Sequence, residues 1–409
     1  MAKPEPLRVW LAGEEVAVLT PRRPWQLRCR YTEEALDRWP GLSPLLSCSL
    51  PLQSRQMDAS VFLSGLLPEG QHRQAMADEA KVPTNDVYSL LRRFGRDVAG
   101  ALVISSEPLG VRSPSIAPYT PSSLEREVDE LPERPLAIYD DSELSIGGLQ
   151  DKLLLVRTPA GGWGRPVHGY PSSHILKADD PLRPGLVAAE SECLLLARAI
   201  GLTSVASELD TIAGRDCLIV SRFDRRLEAD GEVGRIHQED LCQALARDPA
   251  AQRGRGKYED AGGPSLRDAA LLLDRYAADP TRQLDRLLAV ATYTVLIGNA
   301  DAHGKNLALL HPTVETVELA PLYDTVPTVL WPRLRTRGAM SIGGRWELAE
   351  ITVEDLVNEA AGWRVERSRA ARVVAETTER IRDALSELAD ESRVARYVRE
   401  RSELLAHGM

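Results

Sequence analysis

A run of apolar side chains at helical spacing, closed by a glycine and followed by a polar loop, most constrains what this chain can form. The apolar positions between residues 281 and 297 recur every three to four residues, and Gly298 follows them. This spacing predicts a buried helix that ends at Gly298. Asp301 is therefore expected in a loop just past the end of a buried helix, and His303 and Asn306 in the same loop.

The residues after this loop predict a hairpin. Residues 307–310 read as a short apolar strand, Pro312 and Thr313 as a turn, and residues 314–319 as a returning strand. A hairpin of this kind returns Asp324 to the neighbourhood of Asp301 and Asn306.

Two carboxylates and a carboxamide in this arrangement suit phosphoryl transfer. One aspartate, Asp301, orients the attacking hydroxyl, an asparagine a few residues later binds magnesium, and a second aspartate joins the metal to the phosphates. Hard oxygen ligands are those that magnesium prefers. The alternative is that Asp301 and Asp324 are ordinary carboxylates at the ends of a helix and a strand, facing water. The combined pattern D-x-H-x-x-N followed by Y-D favours the first interpretation.

Composition limits the other classes of function. The chain has 409 residues and a formal net charge of −10, which disfavours broad electrostatic binding to DNA or to an anionic membrane. Its length allows two or three domains. The five cysteines have no metal-ligand spacing, and no window approaches a membrane span. A cytoplasmic protein with reduced thiols and no membrane association is expected.

The order of the patterns predicts four regions. Residues 1–106 form an N-terminal subdomain that begins with β-strands between residues 7 and 31 and becomes helical from 61 to 94. Residues 107–135, rich in proline and serine, form a linker or an exposed loop. Residues 136–226 contain a glycine pair and a strand with a lysine. Residues 227–409 are mostly helical, with two or three charged amphipathic helices between 352 and 405.

Three features of the third region suit a bound nucleotide, and each also has a plainer explanation. The pair Gly147 and Gly148 suits a loop whose amides surround phosphates, or a hairpin turn without a ligand. Lys177, on a short strand, precedes a helix expected at residues 188–200 with Glu190 in its first turn, as in a kinase, or is a solvated lysine. The strand that ends in Ser221, Arg222 and Phe223 leads into a charged turn. This turn either offers backbone groups to adenine or is a solvated end of the strand.

Together these segments resemble the HipA-like serine/threonine kinases, the toxins of HipBA toxin–antitoxin pairs. The matching segments, in the family's order, are SIGGLQDK from Ser145, HILK, RFDRR, QEDLCQ, KYEDAGGP, LIGNADAHGKN and LYD. The resemblance implies an α+β, two-lobed kinase-like fold with a small β-rich N-terminal subdomain and a mostly helical C-terminal lobe.

The resemblance also implies roles for individual residues. Asp301 is the catalytic base, Lys177 contacts the ATP phosphates, and Asn306 and Asp324 bind Mg2+. The residues expected around the nucleotide are Gly147, Gly148, Leu149, Gln150, Asp151, Lys152, Lys177, Ser221, Arg222, Phe223, His303 and Tyr323. Ser145 corresponds to the serine whose autophosphorylation silences such kinases.

The partners implied by the resemblance are a small HipB-like helix-turn-helix antitoxin and a protein substrate, an aminoacyl-tRNA synthetase being the known class. Operator DNA is reached only through the antitoxin. A competing hypothesis is a corepressor of the same shape with little catalysis, against which the presence of Lys177, Asp301, Asn306 and Asp324 argues. A metal-dependent hydrolase that uses Asp301 and His303 would need further metal ligands, which the sequence does not offer.

Overall fold

A computed structural model describes residues 4–111, 113–132, 152–228, 232–389 and 392–406. It divides into two compact units, described separately below. Unit 1 consists of Met1–Asp180, Asp210–Glu239 and His311–Glu315, and unit 2 of Pro181–Leu209, Asp240–Leu310 and Thr316–Met409. Within the described ranges, no helix has the length and apolar character needed to cross a bilayer.

The elements up to residue 180 alternate between strands and short helices. In chain order they are β1 (Leu7–Leu11), β2 (Glu14–Arg23), β3 (Gln26–Tyr31), α1 (Glu33–Arg38), β4 (Met57–Asp58), α2 (Ser60–Gly65), α3 (Gly70–Ala80), α4 (Val87–Phe94), β5 (Leu102–Ser105), β6 (Ser115–Pro118), α5 (Pro121–Glu130), β7 (Lys152–Arg157), β8 (Trp163–Val167) and β9 (His174–Ala178).

After residue 180, more residues lie in helices than in strands. The elements are α6 (Leu186–Ala199), β10 (Ser207–Ile212), β11 (Arg215–Ser221), β12 (Arg225–Leu227), β13 (Val233–Arg235), β14 (Gln238–Asp240), α7 (Leu241–Ala244), α8 (Ala251–Gly254), α9 (Leu266–Tyr276), α10 (Pro280–Ile297), β15 (Ala308–Leu310), β16 (Glu318–Leu319), β17 (Arg337–Ile342), β18 (Arg345–Glu347), α11 (Val353–Gly362), α12 (Arg367–Ala384) and α13 (Arg393–Ala406).

Unit 1 begins with a five-stranded sheet in the order β4-β3-β2-β1-β5. Alternate residues of these strands face a core that also receives the apolar faces of α2 and α4. Phe94 of α4 is fully buried there, as is Leu19 of β2. The strands and helices predicted from the first hundred residues are confirmed. The prediction was possible because apolar residues recur every second position in a strand and every three to four positions in a helix when one face of the element is buried.

A second sheet of unit 1 carries Lys177. β9 pairs antiparallel with β7 on one side and with β11 on the other, and β8 continues the sheet from β7 to β6. Helix α5 packs Leu124 and Val128 against this sheet beside Leu153 and Ile219. The sheet therefore begins within the segment that the sequence assigned to a linker.

The expectation that residues 107–135 lack regular structure is wrong, since β6 and α5 lie within them. The composition misled because Pro121 is at the first helical position, where a missing N–H costs nothing, and Thr120 caps the helix. Leu124, Val128 and Leu131 recur at helical spacing and are buried.

Unit 2 is organised around α10, which packs against α9, α11, α12 and α13. Pro280 starts α10 after an Asp279 cap, and Gly298 ends it with a left-handed φ of 70°. The helix predicted at residues 281–297 is confirmed. The predicted hairpin is present but shorter: β15 and β16 pair Leu309 with Leu319, and regular strand is restricted to residues 308–310 and 318–319.

Helix α6 also lies in unit 2 and begins at Leu186, earlier than predicted. Glu190 is therefore in its second turn rather than its first, and only 1% of its surface is exposed. A glutamate this buried is held by partners, since an unpaired buried charge is strongly unfavourable.

Candidate active site

The loop that follows α10 is held together by hydrogen bonds between residues that are close in sequence. The amide of Asp301 donates to Oδ1 of Asn299 (3.1 Å), and the carbonyl oxygen of Asp301 accepts from the amide of His303 (2.8 Å). The side-chain Nδ2 of Asn306 donates to the same carbonyl oxygen (3.0 Å). The carboxamide of Asn306 is thereby oriented with its nitrogen towards the loop, and its oxygen Oδ1 remains as the acceptor.

Three further contacts within unit 2 fix this loop. Nζ of Lys305 pairs with Oδ2 of Asp240 at 2.7 Å, and both side chains are about nine-tenths buried. The hydroxyl of Tyr323 donates to the carbonyl oxygen of Lys305 (2.7 Å), and the amide of Gly304 donates to the carbonyl oxygen of Lys257 (3.0 Å). The loop is thus connected to distant parts of the sequence on both sides of Asp301.

Asp301 is a largely desolvated carboxylate. Burial raises its pKa, and the neighbouring charge of Asp324 adds to that effect, whereas the hydrogen bond from Tyr258 and the charge of Lys257 oppose it. The hydroxyl of Tyr258 donates to Oδ1 of Asp301 at 2.7 Å. A raised pKa makes a carboxylate a better proton acceptor.

Asp324 is close enough to affect both Asp301 and His303 electrostatically. Its backbone has a left-handed φ of 53°, a conformation that side-chain-bearing residues seldom adopt and that is often found at functional sites. Asn306 and Asp324 both offer oxygen donors, which fit magnesium, an ion that takes few protein ligands and retains water. The donor chemistry therefore fits the metal assigned from the sequence.

His303 is buried beside Asp301. Burial, reinforced by the charge of Lys257, lowers its pKa to about 3, so that its imidazole is neutral at physiological pH. Its ring meets the ring of Tyr258 edge-on, with 5.2 Å between centroids. His303 thus helps to shape the loop around Asp301.

In unit 1, Lys177 lies directly opposite Lys152 in the pairing of β9 with β7. Both side chains are largely buried, at 8% and 5% exposure. Buried ammonium groups on facing positions are favourable only with negative partners near them. The strand pairing thus places two lysines side by side on one sheet.

The segment predicted to meet adenine has a different role in part. The amide of Arg222 donates to the carbonyl oxygen of Ser173 (2.9 Å). Its guanidinium, which is buried, donates to Asp224, to Ser172 and to the carbonyl oxygen of Val98. The amide and the side chain of Arg222 are thus engaged within unit 1, and the position of residues 221–223 at adenine stays a prediction.

Sequence reasoning missed Asp97, which lies at the centre of this ionic cluster. Asp97 accepts from Ser172 (2.7 Å), Arg225 (2.9 Å) and Arg235 (3.0 Å). Although burial alone would raise its pKa, the charges of Arg225, Arg235 and Arg222 lower it overall. The only signal in the sequence was an Arg-Asp pair ahead of an apolar strand, which is too common to identify a partner more than a hundred residues away.

The glycine loop falls outside the described residues. This applies to Ser145, Gly147, Gly148, Leu149, Gln150 and Asp151, whose assignments stay predictions. Sequence reasoning also gave no individual role to Tyr258, although it noted the segment KYEDAGGP that contains it.

Comparison with known proteins adds the family context. Residues 7–105 match the model of the HipA N-terminal domain, and residues 144–385 match that of the HipA-like C-terminal domain. The candidate kinase Y4mE of Sinorhizobium fredii is 37% identical over 94% of this chain and 93% of its own. The serine/threonine-protein kinase toxin HipA of Shewanella oneidensis is 25% identical over 88% of this chain and 83% of its own.

A solved structure is similar over nearly the whole chain. It is the complex of Shewanella oneidensis HipA with HipB and operator DNA, in which the matched chain has a TM-score of 0.78, 25% identity, and coverage of 98% of this chain and 96% of its own. The predicted α+β fold, with a β-rich N-terminal region and a mostly helical C-terminal part, is confirmed by this likeness.

Proposed function

The chain belongs to the HipA-like family, and from that premise we propose that it is an ATP- and Mg2+-dependent serine/threonine protein kinase acting as the toxin of a toxin–antitoxin pair. The observation that carries the proposal is the environment of Asp301. Its carboxylate is largely buried, is oriented by a hydrogen bond, and lies within the electrostatic reach of Asp324.

In the proposed reaction, Asp301 accepts a hydrogen bond from the substrate hydroxyl and aligns the hydroxyl oxygen with the γ-phosphorus. The new O–P bond forms as the bond from the γ-phosphorus to the bridging oxygen of the leaving ADP breaks, and Asp301 receives the hydroxyl proton. Asn306 and Asp324 would hold magnesium, which neutralises charge on the phosphates when bound. His303 and Tyr323 keep the catalytic loop in shape, Tyr323 through the carbonyl oxygen of Lys305.

Lysine side chains are proposed to contact the phosphates of ATP. Lys177 is the principal contact, and Lys152, its partner in the strand pairing, ends the predicted phosphate loop of residues 147–152. Residues 221–223 are proposed to lie at the adenine ring. Support for the two lysines comes from their positions directly opposite one another in the pairing of β9 with β7.

The substrate, regulator and partner are proposed from the family. An aminoacyl-tRNA synthetase is the proposed substrate, and autophosphorylation at Ser145 the proposed means of self-inactivation. A HipB-like antitoxin is the proposed partner, because a relative with a TM-score of 0.78 was solved with HipB and its operator DNA. The net charge of −10 is in keeping with DNA contact made through the antitoxin.

The test is incubation of the purified chain with γ-labelled ATP and magnesium, alone and with host lysate, beside Asp301→Asn. Label on a lysate protein that disappears with the variant is the expected result. Ser145→Ala should retain transfer to substrate and lose self-labelling, and mass spectrometry that finds the phosphate elsewhere would remove the assignment of Ser145. Absence of all label from a chain that binds ATP and is unphosphorylated at Ser145 would favour the corepressor instead.

A further inference from the structure

The hydroxyl of Tyr258 donates to the carboxylate proposed as the catalytic base, and Tyr258 itself has been given no part in the reaction. The distance from the hydroxyl oxygen to Oδ1 of Asp301 is 2.7 Å. Hydrogen bonds to a charged carboxylate are about twice as strong as those between neutral groups. One of the two oxygens of Asp301 is therefore held by a donor that comes from another part of the chain.

The ring of Tyr258 is itself held on two sides. The guanidinium of Arg335 lies over the ring, 4.5 Å from its centroid, and the imidazole of His303 meets it edge-on at 5.2 Å. Arg335 donates in turn to the carbonyl oxygen of Gly338 (3.0 Å). A ring clamped in this way has little freedom to rotate, so the position of its hydroxyl is set by packing.

The backbone that carries Tyr258 is also fixed. Its carbonyl oxygen accepts from the amide of Gly263 (2.8 Å), and the residue before it, Lys257, accepts from Gly304 in the catalytic loop (3.0 Å). The carboxylate of Glu259 accepts from both the amide (2.6 Å) and the hydroxyl (3.0 Å) of Ser341. Residues 257–263 are thereby joined to the catalytic loop and to β17.

We propose that Tyr258 is a positioning residue for phosphoryl transfer, whose hydroxyl fixes Oδ1 of Asp301 so that Oδ2 faces the substrate hydroxyl. The inference rests on the proposed kinase function. The carboxylate of an aspartate rotates easily about the bond that joins it to Cβ. When a hydrogen bond anchors Oδ1, this rotation is restricted, and Oδ2 is held in a narrow range of directions. Alignment of this kind determines how often the bound hydroxyl is in a reactive geometry.

The opposite possibility is that the Tyr258 hydroxyl occupies the place of the substrate and must withdraw before reaction. A blocking side chain has to leave, whereas this ring is clamped by Arg335 and His303 and its backbone is hydrogen-bonded on both sides. The two possibilities predict opposite effects when the hydroxyl is removed: a positioning residue slows transfer when truncated, and a blocking residue speeds it.

The test compares the full chain with Tyr258→Phe in steady-state transfer of labelled phosphate from Mg-ATP to myelin basic protein, used as a general serine/threonine acceptor. Loss of one hydrogen bond to a charged group predicts a decrease in kcat of about tenfold. The KM for ATP should stay unchanged. Incorporation of 3-fluorotyrosine at position 258, which keeps the hydroxyl, should restore the rate.

The matched control is Tyr88→Phe in unit 1, which removes a hydroxyl that donates to the carbonyl oxygen of Glu5 at 2.8 Å. Its kcat should equal that of the unaltered chain. Should Tyr258→Phe fail to fold, Arg335→Gln serves in its place, because it releases the ring but keeps the hydroxyl; its kcat should decrease about threefold.

The outcomes separate this inference from the function on which it rests. If the unaltered chain transfers phosphate, Asp301→Asn does not, and Tyr258→Phe transfers at the full rate or faster, the positioning role is rejected and the kinase is retained. If the unaltered chain transfers no phosphate to any acceptor, both are rejected. A decrease in kcat matched by an equal increase in the KM for ATP would also overturn the positioning role.

Discussion

Arg222 and Asp224 form a two-pronged ion pair inside unit 1, with Nε to Oδ1 at 2.9 Å and Nη2 to Oδ2 at 2.7 Å. Asp224 also accepts from the amide of Gly100 (2.7 Å). These charges are fully buried. The attraction between these buried charges offsets the cost of removing them from water only while both partners of the ion pair are present.

Asp224→Asn should therefore destabilise the protein by about 3–5 kcal/mol, because it leaves buried guanidinium charge without its partner. Urea unfolding followed by circular dichroism measures the change. Glu228→Gln is the matched control, since Glu228 pairs with an Arg226 whose side chain is 68% exposed, and it should cost less than about 1 kcal/mol. Equal effects of the two variants would contradict the structural role of the buried cluster.

Gly298→Ala should destabilise unit 2 and reduce transfer. Gly298 has φ 70°, and a Cβ there would lie 2.3 Å from Cγ2 of Val329 and 2.9 Å from Tyr397. The backbone strain and the clash together should cost about 2–4 kcal/mol. Gly344→Ala is the control, since Gly344 has φ 83° with no atom within 4 Å of the added Cβ, and it should cost about 1 kcal/mol. Similar melting temperatures for the two variants would contradict the clash.

Acid should destabilise the protein through His237. Burial and the nearby His311 lower the pKa of His237 from 6.5 to about 3. Below pH 6.5 the unfolded chain binds a proton that the folded chain does not, so stability decreases as pH falls, by up to about 1.4 kcal/mol per pH unit. Unfolding of the unaltered chain and of His237→Gln at pH 7 and pH 5 measures the effect. The loss on acidification should be smaller in the variant by about 2 kcal/mol, and an identical loss would contradict the prediction.

Two aspartates should affect different steps. Asp301→Asn should decrease kcat by about 10²–10⁴-fold with ATP affinity largely unchanged, because it removes the proton acceptor. Asp324→Ala should instead weaken binding of Mg-ATP itself, because it removes a proposed metal ligand. Transfer kinetics together with titration of a fluorescent nucleotide separate the two effects. Full activity in both variants would show that the site is misassigned.

The sequence predicted well where a local pattern decided the structure. The boundaries of α10, its end at Gly298 and the three early strands follow from hydrophobic period and capping, which are properties of neighbouring residues. The prediction was wrong where one composition fits two structures, as in the proline-rich segment that contains α5.

Contacts between residues remote in sequence were not predictable. Tyr258 meets Asp301 across 43 positions, and Arg225 meets Asp97 across 128. Nothing in the local composition of either segment identifies its partner, because such pairs form only when the fold brings them together. The sequence singled out Asp301 and Asp324 as candidates, whereas the hydrogen bond from Tyr258 to Asp301 is visible only in the structure.

The left-handed backbone of Asp324 determines which substitutions the backbone tolerates at this position. Glycine adopts φ 53° without strain, whereas aspartate does so at a cost of about 1 kcal/mol. Asp324→Gly should therefore relieve this backbone strain and remove the carboxylate proposed to hold magnesium. A single substitution at this position would therefore remove the proposed chemistry while leaving the backbone in a conformation that glycine adopts freely.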